Sequence, residues 1–457
     1  VMVPTDFTIS TALLRYMEEN HVSISAFAAK SGVNSGTLSR FLHAQLQLSV
    51  ASLDAITRAM GLEEGHFYAA YVKESTANWR RLGPYIIRCA EIGKLDCIEQ
   101  AAGMLTEHLS YSDQLFDCAE ELYHQGYAEA ALILYTKVAE SEKYQHSERL
   151  SWCQYRIFTS SLNADQEHNL NCAIQFEPYV RRLPEALQLD GLKDLANILL
   201  SLRKWDKARG YAQEMGRIAR MRYNAKHHAS KTKRSVIEPA KPLFGYILYS
   251  DLILGSIAAE HADYELALEY VSRYEEHSWV VESDEAAEDT KQQFKVWATA
   301  NRYLYQLMMG KVEVLDAYMA YISSHENEIL RALFNIVQAA NRYQFEIERY
   351  LEPNEHLIAA FLQDKSATGT YTGQMIDDGF AIFLADVGEY YLRQQNTSKG
   401  IGYLLDALEV SYQIRNPVNV MRCKTILEHL RSKLSHADLE RYEAIRQSRR
   451  SSGMLVI

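Results

Sequence analysis

The sequence predicts an all-α chain, with a small helical head followed by a long array of helical hairpins. Three observations predict it. Only eight prolines and 21 glycines punctuate 457 residues, which long helices tolerate and a turn-rich β fold would not. Apolar residues recur at helical spacing through most of the chain. Small residues also recur twelve positions apart in four separate segments, as stacked helix pairs require where they cross. A chain of this length is expected to hold two or more cores.

The head reads as five short helices: Thr11–Asn20, Ser25–Ser31, Ser35–Leu42, Ser52–Met60 and Glu63–Tyr71. Its centre is SISAFAAKSGVNSGTLSRFLH, residues 23–43. Ala28 falls where two helices pack closely, and Gly32 falls at a tight turn that needs positive φ. Val33, Leu38 and Phe41 then face inward. Asn34 or Ser35 caps the second helix, leaving Gly36, Thr37, Ser39 and Arg40 on its outer face. Small polar groups plus one arginine suit a helix that enters a major groove, and the helix starts near Ser25 and Ser35 offer amides to phosphate. The candidate DNA-binding set is therefore Ser25, Asn34, Ser35, Gly36, Thr37, Ser39 and Arg40. From Thr11 to Tyr71 the head resembles the helix-turn-helix DNA-binding domain of the phage-repressor (Xre/Cro) class.

One feature runs against tight DNA binding by the head alone. Residues 1–72 hold four Lys/Arg (Arg15, Lys30, Arg40, Arg58) against six Asp/Glu, a net −2. Phosphate neutralisation supplies much of a DNA binder's affinity, so binding is expected to depend on a dimer or on a ligand. The whole-chain charge of −11 likewise argues against nonspecific coating of nucleic acid.

The array spans about residues 78–447. Its four spaced pairs are Ala119 with Ala131, Ala196 with Ala208 (and Trp205), Gly255 with Ala267 (and Tyr264), and Gly388 with Gly400. This spacing resembles the tetratricopeptide repeat, which implies a right-handed superhelical array of hairpins. A second match pairs FKVWATANRY (294–303) with FNIVQAANRY (334–343), forty residues apart. If Ala196, Ala300 and Ala340 are equivalent, then Asn197, Asn301 and Asn341 are too. In stacked hairpins that position points to the concave groove, where an amide can pair with a peptide backbone. The alternative is that each asparagine bridges helices or faces solvent. Arg302 and Arg342 are candidates for a peptide carboxylate, whereas Tyr303 and Tyr343 are expected to pack.

Other features carry less chemistry. Arg217–Val236 holds seven Lys/Arg and no acid, which suits DNA phosphates, a peptide's carboxylates or simply an exposed loop. Lys365–Gln374 reads as a connection between hairpins. No phosphate loop, HExxH or GxSxG occurs, and the six cysteines and the His227–His228 pair lack metal-ligand spacing. No catalytic residue, cofactor or metal is expected. Neither a leader nor a spanning segment is read, so a reducing, cytoplasmic setting away from membranes is expected.

A repressor-class head before a degenerate tetratricopeptide array resembles the RRNPP family, the peptide-sensing regulators that include the arbitrium receptors. The resemblance implies quorum sensing through a short signalling peptide, groove asparagines on its backbone, a homodimer, and peptide-dependent binding to a double-stranded DNA operator. The corresponding domains are 1–72 (head), 73–447 (peptide binding and dimerisation) and 448–457 (tail). The alternative is a peptide-regulated interaction protein, an inhibitor or scaffold, whose head has become a docking module.

Overall fold

The computed structural model describes residues 8–144, 147–163, 165–228, 239–323, 326–363, 373–414 and 416–450. Among these there is no strand, and the chain is an all-α array of tetratricopeptide-like hairpins behind a five-helix head. Two units emerge, one formed by Val1–Ser161 with Gln175–Pro184, the other by Leu162–Ile174 with Glu185–Ile457.

The first unit begins with α1 (Ile9–Glu19), α2 (Ile24–Ser31), α3 (Ser35–Leu42), α4 (Val50–Ala59) and α5 (Tyr68–Glu74). The sequence suggests a fifth helix at Glu63–Tyr71, but it starts at Tyr68. Gly65 adopts φ +75° and turns the preceding segment, so the apolar run becomes helical only after that turn. The unit continues through α6 (Trp79–Glu91), α7 (Leu95–Thr106), α8 (Ser112–His124), α9 (Ala128–Ser141) and α10 (Glu148–Ser161). Ala119 and Ala131 are both fully buried where α8 packs on α9.

One core runs from Ile9 to Cys153 with no break near residue 72. The reason is a tyrosine cluster: Tyr68 and Tyr71 in the head lie 5.2 and 5.1 Å from the fully buried Tyr85 ring of α6. Polar groups reinforce it. Arg81 donates to the carbonyls of Gln47 (2.5 Å) and Leu48 (2.9 Å), and Tyr85 donates to the Tyr68 carbonyl at 2.8 Å. Arg88 pairs with Asp54 at 3.2 Å and also with Glu64. The head is thus packed as the first layer of this unit.

In the second unit, α11 (Gln166–Phe176) straddles the division. It is followed by α12 (Glu185–Ser201), α13 (Trp205–His228), α14 (Leu243–Glu260), α15 (Tyr264–Glu275), α16 (Glu285–Met308), α17 (Leu315–Ile322) and α18 (Glu326–Tyr343). Short α19 (Glu348–Leu351) and α20 (Glu355–Gln363) precede α21 (Gly373–Arg393), α22 (Thr397–Gln413), α23 (Pro417–His429) and α24 (His436–Arg450).

The spaced small residues sit where consecutive helices cross. Ala196 and Ala208 are fully buried between α12 and α13. A Cβ on Gly255 would lie 3.0 Å from Tyr270 Cβ across the α14–α15 pair. Between α21 and α22, a Cβ on Gly388 would lie 3.1 Å from the Gly400 carbonyl, and one on Gly400 3.0 Å from the Gly388 carbonyl. Helix α14 is long and apolar enough to cross a membrane, but 72% of it is buried inside the fold. Five of the six cysteines are buried, Cys172 is half-buried, and all are free thiols.

The basic segment departs from a loop. Residues 217–228 continue α13, because Ile218, Ala219 and Tyr223 supply a buried face. Several of their side chains are engaged locally: Arg220 with Asp251 (2.9 Å), Arg222 with the Glu185 carbonyl (2.5 Å) and Gln188 (2.8 Å), and the His227 ring with Glu282 (3.0 Å). Residues 229–236 lie outside the described residues, as do positions 365–372 of the expected connection; Gly373 and Gln374 open α21.

Candidate functional site

In the head, the turn between α2 and α3 has the expected geometry. Gly32 adopts φ +74°, and its N–H donates to the Ala28 carbonyl at 2.9 Å. A Cβ there would meet nothing within 4 Å, so the requirement is conformational, not steric. Phe27 is fully buried edge-on to Tyr16, with ring centroids 5.9 Å apart. Val33, Leu38 and Phe41 are buried, and Ala28 is half-buried.

Asn34 caps α3: its Oδ1 accepts from the N–H groups of Gly36 (2.8 Å) and Thr37 (3.3 Å). A Cβ at Gly36 would approach that oxygen to 3.1 Å, so the glycine leaves the cap room. Ser23 caps α2, its hydroxyl accepting from Ala26 N–H at 3.2 Å, so Ser25 stands inside the first turn. Ser25, Ser35, Gly36 and Arg40 are exposed, while Thr37 and Ser39 are half-buried. Arg40 Nε donates to the Gly36 carbonyl at 3.3 Å, which lays the side chain along the helix. Two of the head's four cations are engaged elsewhere: Lys30 donates to the Tyr16 hydroxyl at 2.9 Å, and Arg15 pairs with Glu19 at 2.7 Å.

In the second unit, α12, α14 and α16 line a cleft of ≈ 790 Å³, a size in the range of ligand sites. Asn197 lies on its wall. Tyr249 from α14 donates to Asn197 Oδ1 at 2.9 Å, and burial pushes the Tyr249 phenol up. Trp297 adds an aromatic face, edge-on to Phe294 at 5.1 Å.

The cleft's shape is held by Asp190, which is 4% exposed. It accepts from the Tyr246 hydroxyl at 2.6 Å and the Ala240 N–H at 3.3 Å, and Lys193 lies 3.7 Å away. Burial works against the Lys193 charge, yet Asp194 and Asp190 outweigh it and hold the ammonium above its ordinary range.

The other predicted groove residues lie outside this lining. Asn301 Nδ2 donates to the Tyr274 hydroxyl at 3.0 Å, and Asn341 Nδ2 to the Asp386 carbonyl at 2.8 Å. Arg302 pairs with Glu275, and the Arg342 guanidinium sits 5.4 Å over the Tyr343 ring. Tyr303 packs near Tyr318 and Tyr321, and Tyr343 donates to the Met308 carbonyl at 2.7 Å. Helix α16 is 24 residues long; its cleft-lining positions run from Asp289 to Trp297, and Asn301 stands one turn beyond. Sequence reasoning missed Tyr249 and Trp297. Their signal is the i, i+4 row on each first helix, 193–197, 245–249 and 289–293–297.

No protein-family model and no curated protein matches the sequence. Among solved structures, the chain is similar to aspartyl phosphate phosphatase F from Bacillus subtilis, at 14% identity over 92% of this chain and 97% of that one, with a TM-score of 0.38. The fold is therefore read from the chain's own helices, and that likeness assigns no activity.

Proposed function

We propose that this chain is a peptide-responsive regulator of transcription, in which a short peptide held by the α12–α14–α16 cleft sets how the head engages double-stranded DNA. The observation that carries the DNA half is the α2–α3 turn: a left-handed Gly32, a packed inner face, and an outer face of short polar side chains with Arg40. Ser25, Ser35, Gly36, Thr37 and Ser39 lie along the surface offered to the groove, while Asn34 acts through its cap. Asn197 leads the peptide-binding set. Asn301, one turn beyond the lining, keeps a carbonyl oxygen for a ligand and Arg302 would reach its acidic groups, whereas Asn341 and Arg342 act outside the cleft, in contacts within the array.

The head acts as a homodimer, which doubles every contact and spaces half-sites by about 34 Å. The switch is bounded by the peptide's difference in affinity for the two states. Labelled fragments from the chain's own gene neighbourhood, titrated with and without the peptide encoded beside it, test the reading. A shift in operator affinity is expected, and identical affinity at every peptide concentration removes the switch. Arg40→Ala is expected to weaken operator binding by about 1–3 kcal/mol; unchanged binding would mean that α3 does not read DNA.

A second reading is favoured by the head's net −2 with Lys30 and Arg15 engaged internally. Here the peptide-regulated array and head dock onto another protein. A stoichiometric protein partner, together with no shift of any DNA fragment, decides for it.

A further inference from the structure

Helix α3 is held at its two ends by different parts of the chain. At its start stand the Gly32 turn and the Asn34 cap, both inside the head. At its end the chain turns through Ala44, whose φ of +57° is left-handed and costs a residue that carries a Cβ. The amides of His43, Ala44 and Gln45 close there on the carbonyls of Ser39 (3.1 Å), Phe41 (3.0 Å) and Arg40 (2.8 Å). The loop that follows is fastened from α6. Arg81 donates from Nη1 to the Gln47 carbonyl at 2.5 Å and to the Leu48 carbonyl at 2.9 Å, and such charge-assisted bonds are among the stronger ones. The Tyr71 hydroxyl donates to the same Leu48 carbonyl at 2.8 Å, so both lone pairs of that oxygen are used. Burial pushes the Tyr71 phenol up, which keeps the donated proton in place. Gln47 Nε2 adds a bond to the Glu74 carbonyl at 2.9 Å.

We infer that Arg81 is a positioning residue for the DNA-reading helix: through the Gln47 and Leu48 carbonyls it fixes the loop that ends α3, and so sets how Arg40 and its neighbours are presented to DNA. The inference rests on the DNA half of the proposed function and extends the reading module past residue 72 into α6. Helix α3 has eight residues, about 12 Å at 1.5 Å per residue. Turning such a rod by about 10° around its start moves its far end by about 2 Å, more than a base-edge hydrogen bond tolerates. Arg88 supplies a control. It also reaches from α6 into the head, pairing with Asp54 on α4 at 3.2 Å and with Glu64, but these partners lie off the loop.

The test uses the full-length chain as parent, Arg81→Met, Arg81→Lys and Arg88→Met, with thermal melts confirming that each folds. Amide hydrogen exchange is followed by mass spectrometry, and labelled fragments from the chain's own gene neighbourhood are titrated by anisotropy across a salt series. Arg81→Met keeps the apolar stem and removes the donors. It should speed exchange of the His43–Gln45 amides about tenfold and lower operator affinity about tenfold. The slope of log affinity against log salt should stay at the parent value, because no phosphate contact is lost. Arg81→Lys, which keeps a donor, should recover part of both effects, and should Arg81→Met not fold it carries the test. Arg88→Met should lower the melting temperature and produce neither effect.

Unchanged exchange at His43–Gln45, or unchanged operator affinity, overturns the positioning role. Equal effects in the Arg81→Met and Arg88→Met chains reduce it to general packing and overturn it as well. A shallower salt slope in Arg81→Met would make Arg81 a direct phosphate contact, which also overturns it. Faster exchange in Arg81→Met, with no fragment bound even by the parent, confirms that Arg81 holds the end of α3 and removes the DNA reading instead.

Discussion

Where α12, α14 and α16 meet, Asn197 keeps both amide hydrogens without a partner among the described residues, and a cleft of ≈ 790 Å³ stands open. Where α18 packs on α21 and α21 on α22, another asparagine, Asn341, donates across to the Asp386 carbonyl at 2.8 Å. Phe334 and Phe383 stack there at 4.3 Å, and Gly388 and Gly400 bring two backbones together. The two regions differ in what stands opposite the asparagine. In the first, a tyrosine hydroxyl takes the amide's oxygen and leaves its donors outward. In the second, a backbone carbonyl takes a donor, and the amide becomes a rivet between helices.

The largest test of this contrast strikes the open region. Asp190→Ala removes the acceptor of the Tyr246 hydroxyl and the Ala240 N–H and leaves both buried donors without it. A loss of about 1–3 kcal/mol is expected, since Lys193 keeps Asp194 at 3.2 Å, read by urea unfolding, together with loss of ligand binding at the cleft. A loss below about 1 kcal/mol would mean that the cleft is not held from α12.

In the closed region, Gly388→Ala places a methyl 2.8 Å from Leu404 Cγ and 3.1 Å from the Gly400 carbonyl. Backbone cannot retreat as a side chain can, so a loss of about 1–3 kcal/mol is expected. Ligand affinity at the cleft should stay at the parent level.

The asparagines themselves give the sharpest pairing. Asn341→Ala should cost about 1–2 kcal/mol of stability, because the Asp386 carbonyl loses its donor, and leave peptide affinity unchanged. Asn197→Ala should lower peptide affinity and also cost about 1–3 kcal/mol of stability, because the Tyr249 hydroxyl loses its partner. If calorimetry finds that both lower affinity equally, the asparagines form one ladder and the contrast between the regions fails.

Much of the fold was legible because its signals are local. The small residues at twelve-residue spacing each sit at a crossing of consecutive helices, since only a missing side chain lets backbones approach there. Gly32 was legible because positive φ has few tenants. The fifth helix was misplaced because Gly65 stops the chain inside an apolar run whose period is otherwise helical. The basic segment read as a loop because its composition is polar, whereas Ile218, Ala219 and Tyr223 are enough to hold a helix once α14 covers them. The site was less legible. Asn197 lies on a cleft wall and Asn301 and Asn341 do not, because the fate of an amide depends on its opposite neighbour. Tyr249 stands 52 positions from Asn197 and the Asp386 carbonyl 45 from Asn341, and no local pattern joins them.

The smallest expected effect separates a glycine required by close approach from one that is merely present. Gly402 lies inside α22, and a Cβ there would meet nothing within 4 Å. Its backbone is helical, so an alanine would adopt it without strain. Gly402→Ala should therefore stabilise the chain by about 0.5–1 kcal/mol, by restricting the unfolded chain and favouring the helix. Two residues away on the same helix, Gly400 faces the Gly388 carbonyl at 3.0 Å, and Gly400→Ala should destabilise. Opposite signs in a pair of thermal melts would locate the tight crossing on one face of α22. Equal signs would show that the α21–α22 pair can spread to admit a methyl, and the closed region would then owe its closure to the Phe334–Phe383 stack and the Asn341 rivet instead of to backbone contact.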